Sequence, residues 1–179
     1  MKAAILYWSK TGNTEKVAGV IREVLEEAGA DVLYRRTDDA DDVDFFDYDI
    51  VFVGFPSYQW RPPKPVEDFL ASKFSSYHKQ GRVKVGAPKV PGCNAVMFCT
   101  YSGPHTGMNE AIPATKRAGQ FFEHLGFTVL EEWHVVGEFH GSEELSTKGR
   151  LGDIRGRPNE DDLKKVRNEV VQLLSRMKM

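Results

Sequence analysis

Ala3-Ala4-Ile5-Leu6-Tyr7-Trp8-Ser9-Lys10-Thr11-Gly12-Asn13-Thr14 runs on into Glu15-Lys16-Val17-Ala18, so that an apolar run passes through a short polar turn into a helical pattern. A strand feeding a helix reads this way. The turn, Ser9-Lys10-Thr11-Gly12-Asn13-Thr14, gathers three hydroxyls, a glycine and several backbone N–H groups. It does so where a helix leaves its first donors unpaired and its dipole positive, which makes it a candidate phosphate cradle. No Gly-Lys-Ser/Thr follows at P-loop spacing and no Gly-x-Gly-x-x-Gly is present, which argues against a nucleoside triphosphatase or an NAD fingerprint. Ser, Thr and Asn are also favoured as plain helix caps. On these six residues alone, cap and cradle are equal readings.

Outward from this turn, apolar runs of strand length recur at residues 3–7, 31–34, 50–54, 95–100 and 128–136, mostly continuous rather than alternating. Continuous runs suit a parallel sheet covered on both faces. Between them lie helical patterns: Val17, Ala18, Ile21, Val24, Leu25 and Ala28 up to Gly29, and Ile112, Ala118, Phe121, Phe122 and Leu125 up to Gly126. A short helix is predicted from just after Pro65 to about Phe74. A last one is predicted from an Asn159 cap through Leu163, Val166, Val170, Leu173, Leu174 and Met177. Strand and helix alternate throughout, which predicts an α/β fold with right-handed crossovers.

A chain of 179 residues with a net charge of −2 fits one domain, residues 1–179, and that charge argues against general nucleic-acid affinity. Cys93 and Cys99 form neither a metal spacing nor a disulfide framework and read as inert reduced thiols, and no metal site is expected. Met1-Lys2 leads directly into strand-like residues, and no apolar run approaches the ~20 residues that span a bilayer, so a cytoplasmic protein is expected. Residues 38–49 hold seven aspartates and read as a solvated face.

Open α/β sheets bind ligands beyond the carboxyl ends of their strands. Four segments leave those ends, at residues 8–14, 55–62, 101–109 and 137–158, and should meet in one crevice. Phe55-Pro56-Ser57-Tyr58-Gln59-Trp60-Arg61-Pro62 and Thr100-Tyr101-Ser102-Gly103-Pro104-His105 put aromatic rings on two neighbouring loops, with glycine and small polar residues between. A planar ligand with a phosphate would fit between them. Residues 75–92 read as a long basic loop at the opposite edge, and residues 137–158 as a long loop placed to reach the ligand.

The run from Ile5 to Thr14, with Ala18 and Ile21 beyond it, resembles the phosphate-loop signature of the flavodoxin family. That resemblance covers essentially the whole chain. It implies a doubly wound five-stranded parallel sheet of order 2-1-3-4-5 with helices on both faces, and one noncovalently bound FMN. It further implies that Ser9, Thr11, Asn13 and Thr14, with Gly12 and a solvent-directed Lys10, form the phosphate loop. Tyr58 or Trp60, with Tyr101, would flank the isoalloxazine, beside Pro56, Ser57, Gln59 and Thr100, and the backbone of Ser102 and Gly103 would meet the pyrimidine edge. The family usually carries a glycine in the second loop near flavin N5. Here Gln59-Trp60-Arg61-Pro62 stands instead, and Pro62 keeps Arg61 out of the helical region.

His105 and His140 are the candidate catalytic residues, since a histidine over the ring could stabilise reduced flavin or protonate a quinone. The leading function is an FMN-dependent carrier passing electrons between redox partner proteins. The alternative is an NAD(P)H-dependent FMN/quinone oxidoreductase of the same fold, favoured by the long fifth loop. A flavin-free interaction module is the third reading. No nucleic-acid or membrane-spanning role is expected, and a homo-oligomer is compatible with the sequence.

Overall fold

Side chains along each strand alternate between two apolar layers, so the continuous hydrophobic runs serve both faces of one sheet. In the computed structural model, which describes residues 1–177, Ile5, Phe52 and Phe98 pack on one face while Leu6, Val53 and Met97 pack on the other. The strands are β1 (Lys2–Tyr7), β2 (Asp31–Arg36), β3 (Ile50–Pro56), β4 (Asn94–Tyr101) and β5 (Thr128–Val136). All pair in parallel, in the order β2-β1-β3-β4-β5. The expected α/β fold and strand order are therefore both present.

Helices α1 (Asn13–Glu27) and α5 (Glu160–Met177) cover the first face, and α2 (Lys64–Lys79) and α3 (Ile112–His124) cover the second. Phe52 and Phe98 are fully buried, and each such side chain is worth about 1.5–3 kcal/mol of apolar transfer. Close packing leaves Gly54 no room for a side chain, because a Cβ there would lie 1.9 Å from the Phe98 ring. Cys93 and Cys99 are buried and free, as expected, and burial pushes both thiols up.

Two expectations change, and a third, the solvated aspartate-rich segment, holds with added detail. Helix α2 runs to Lys79 rather than Phe74, because Val66, Phe69, Leu70, Lys73 and Tyr77 continue one buried stripe and no breaker intervenes before Gly81. The basic loop accordingly begins at Gln80. The fifth loop is not structureless: it contains α4 (Glu143–Thr147), capped by Ser142, whose hydroxyl accepts from the Leu145 N–H at 3.3 Å. The aspartate-rich segment forms two short 3-10 turns tied down by cations. Arg36 pairs with Asp38, Arg35 with Asp42 and Arg82 with Asp44, while the buried Lys73 ammonium donates to the carbonyls of Asp41 and Val43, both at 2.7 Å.

The α5 cap is the one the sequence predicts. Asn159 Oδ1 accepts from the Asp162 N–H at 3.1 Å, and Asp162 Oδ2 accepts from the Asn159 N–H at 3.0 Å, a reciprocal capping box.

Candidate functional site

A crevice opens where β1 and β3 send their following helices to opposite faces of the sheet. The cavity there has a volume of about 880 Å³ and is walled by all four segments that leave the carboxyl edge. Ser9, Lys10, Thr11, Asn13, Thr14, Pro56, Ser57, Tyr58, Gln59, Trp60, Thr100, Tyr101, Ser102, Gly103, His105 and His140 line it. Gly12 alone of the expected residues does not. It works from behind, taking the left-handed conformation with φ 92° at the cap of α1.

With no side chain at that cap, no side-chain capping bond is made to the first turn among the described residues. The Ser9 hydroxyl accepts from the Gly12 N–H at 3.1 Å and so fixes the loop's curvature. Thr14 and Thr100 share a buried hydroxyl contact of 2.8 Å, which ties the loop to the end of β4. Behind it, Arg36 Nη1 donates to the Ser9 carbonyl at 3.1 Å while its own guanidinium is held by Asp38. Unpaired N–H donors, hydroxyls and a helix N-terminus form a donor set that fits an anionic phosphate.

The second loop is a tight reversal. Tyr58 N–H donates to the Arg61 carbonyl at 3.0 Å and Arg61 N–H returns a bond to Tyr58 at 3.2 Å, with Gln59 at φ 49° and Trp60 at φ 65° between them. Positive φ at both central residues defines a type I′ turn. The Tyr58 ring meets Trp8 edge-on at 6.0 Å, whereas Trp60 is 62 % exposed at the lip. Tyr101 is nearly buried at the end of β4, and burial raises the pKa of both tyrosines. An apolar slot lined by Trp60 and Tyr101 together with polar loop residues suits a planar ring.

The third loop is held by a residue that sequence reasoning missed. Glu110 Oε1 accepts from His105 N–H at 2.8 Å and from Thr106 N–H, and the Ser57 hydroxyl donates to the Glu110 carbonyl. Its only signal in the sequence is a carboxylate a few residues past Gly107. Gly103, at φ 51°, lies so close to Gly107 that a Cβ would sit 2.6 Å from the Gly107 carbonyl oxygen. Glu138, Phe139, Gly141 and Leu145 of the fifth loop also line the cavity and were not singled out individually.

The two candidate histidines stand apart in role. His105 is exposed, its backbone tied to Glu110. His140 sits against the phosphate loop, with Nε2 3.4 Å from Asn13 Oδ1.

A family model for flavodoxin matches residues 5–169. The chain belongs to the flavodoxin family. It is 32 % identical over 126 residues to the flavodoxin of Megasphaera elsdenii, covering 70 % of this chain and 80 % of that one. Its fold superposes on oxidised Flavodoxin 1 from Bacillus cereus with a TM-score of 0.69 at 17 % identity, over 98 % of both chains. The flavodoxin of Streptococcus pneumoniae TIGR4 gives a TM-score of 0.67 at 20 % identity, over 98 % of this chain and 99 % of that one. Flavodoxins are FMN-dependent electron-transfer proteins, and the donor set and slot described above fit that cofactor. None of the described helices is long and apolar enough to cross a membrane.

Proposed function

We propose that FMN lies in the 880 Å³ cavity with its phosphate in the loop from Ser9 to Thr14 and its ring between Trp60 and Tyr101, and that the chain carries electrons between protein partners. The observation that carries this reading is the first turn of α1, without a side-chain cap, set beside three hydroxyl side chains and opening into a cavity lined by Trp60 and Tyr101. When bound, FMN supplies a ring that accepts and releases electrons.

The protein's part is to bind, orient and shield. Ser9, Thr11 and Thr14, with the N–H groups behind Gly12, would hold the phosphate by charge-assisted hydrogen bonds. Tyr101 and Trp60 would exclude water from the two ring faces. Glu110 would keep the backbone of residues 102–106 in place to meet the polar edge, without touching the ring itself. Asp38, Asp42 and Asp44 are already paired with arginines, so recognition of a partner would rest on the lip formed by Trp60, Tyr58 and the fifth loop rather than on those carboxylates.

Purified protein mixed with FMN should bind it one to one, and Thr14→Val should weaken that binding about tenfold while riboflavin binding changes little. Fluorescence quenching titrations read both. Equal losses for FMN and riboflavin would place the phosphate elsewhere.

A second reading is a reductase fed by NAD(P)H, favoured by the fifth loop's place as a wall of the cavity. Stopped-flow mixing with NADPH separates the two, since rapid bleaching of the yellow protein supports the reductase and its absence supports the carrier.

A further inference from the structure

The fifth loop is built as a rigid piece before it reaches the phosphate loop. Ser146 is buried, and its hydroxyl bonds both to the Phe139 N–H at 3.0 Å and to the Phe139 carbonyl at 3.1 Å. Glu138 N–H donates to the Arg157 carbonyl at 2.9 Å, and Glu138 Oε2 accepts from the Gly156 N–H at 2.8 Å. Arg150 N–H ties the far end to Pro104 at 2.8 Å. Between these fastenings the loop meets Asn13, at the first residue of α1.

Donor and acceptor accounting settles the orientation of that contact. Asn13 Nδ2 donates to the Glu138 carbonyl at 3.0 Å, and only the amide nitrogen can do so. Asn13 Oδ1 is therefore the atom that faces His140 Nε2 at 3.4 Å, so Nε2 carries a hydrogen. The other ring nitrogen, Nδ1, lies 4.0 Å from Glu138 Oε1, a second acceptor. At that distance the Glu138 contact is an ion pair made only by the imidazolium, which keeps the Nε2 hydrogen on Asn13 as well. Both ends of the Asn13 amide are thereby committed to the fifth loop.

We propose that His140 is a positioning residue for the phosphate end of the cofactor: in its protonated form it clasps Asn13 to Glu138 and cancels the Glu138 charge beside the phosphate loop. Once the ring loses its proton, the Glu138 carboxylate stands uncompensated near a phosphate that is itself an anion. The inference rests on the cofactor reading above. The other charged groups around this clasp are Lys10 on the phosphate loop, Glu110 on the far wall of the same cavity, and Arg155, which faces Glu138 and pairs with Asp153 and Glu143. Arg155 has carboxylates of its own, and of these groups His140 is the one whose ring lies between Glu138 and Asn13 of the phosphate loop.

The test compares FMN with riboflavin, which lacks the phosphate, from about pH 5.5 to about pH 8 in the wild type, in His140→Gln and in Glu138→Gln. Phosphate ionisation is common to all three proteins and cancels in the comparison. In the wild type the FMN-to-riboflavin affinity ratio should fall by about fivefold more on going to the higher pH than in His140→Gln, and Glu138→Gln should raise the ratio at the higher pH, where the carboxylate otherwise stands uncompensated. A pH profile of the ratio that His140→Gln leaves unchanged overturns the proposal, as does an equal fall for riboflavin.

If neither flavin binds, the cofactor reading fails, and the clasp is still judged in the cofactor-free protein by NMR. There the Asn13 side-chain amide signals should move with the His140 titration and cease to do so in His140→Gln. Signals indifferent to His140 overturn the clasp.

Discussion

Gln59 and Trp60 hold a conformation that their side chains resist. A left-handed backbone costs a residue with a Cβ roughly 1–2 kcal/mol, and here two stand side by side at the lip of the cavity. The paired backbone bonds between Tyr58 and Arg61 impose it, with Pro62 keeping Arg61 extended. Gln59→Gly should therefore stabilise the cofactor-free protein by about 1 kcal/mol, seen as a higher urea midpoint with an unchanged slope. No stabilisation would mean that the turn relaxes to another shape when free. The sequence concealed this turn, since type I′ reversals are normally marked by Asn-Gly or Asp-Gly and Gln-Trp carries no such mark. The hydroxyls of Ser9, Thr11 and Thr14 were legible because a helix start is a local event. Glu110 was not, because its importance lies in which backbone N–H groups come to meet it.

Among the elements, α1, α3 and α5 were legible from helical spacing, and α5 even to its cap, because the capping box is formed within four residues of chain. Helix α4 was hidden for the opposite reason: five residues are too few to show a period, and its hold on the fold comes through Ser146 bonding back to Phe139.

The contact between β5 and α3 carries a pH dependence. His134 Nε2 lies 2.9 Å from the Thr115 hydroxyl, which also donates to Glu132 Oε2 at 2.7 Å, with Lys116 on the same carboxylate. Burial lowers the His134 pKa below its ordinary value near 6.5, more strongly than Glu132 raises it, with Lys116 adding to the lowering. The folded state thus favours the neutral ring. As pH falls, the unfolded chain takes up the proton first, so stability is full above about pH 6.5 and is lost as pH drops toward the folded-state value. Urea midpoints at about pH 7.5 and about pH 5.5 should differ accordingly, and His134→Gln should shrink that difference.

At the scale of the molecule, one sheet order brings four loop ends together. Because β1 lies between β2 and β3, the turn at residues 9–14 becomes the neighbour of residues 57–61, and β4 and β5 add the remaining walls. A ligand that bridges these walls binds only the folded chain, so FMN at a hundredfold excess over its Kd should stabilise the protein by about 2.7 kcal/mol. Thermal unfolding with and without FMN measures this, and an unmoved Tm would contradict binding in the crevice.

What the sequence determined by itself is the alternation of strands and helices, the starts and stops of α1, α3 and α5, and the chemical character of each loop. All of these are written in spacings of two to four residues along the chain. The tertiary structure alone decided that Asn13 and Glu138, 125 residues apart, share a hydrogen bond, that Trp60 stands free while Tyr58 packs on Trp8, and that the fifth loop is a fastened wall. Those outcomes depend on strand order, register and side-chain packing across the sheet, and such long-range contacts leave no periodic trace in the residues that make them.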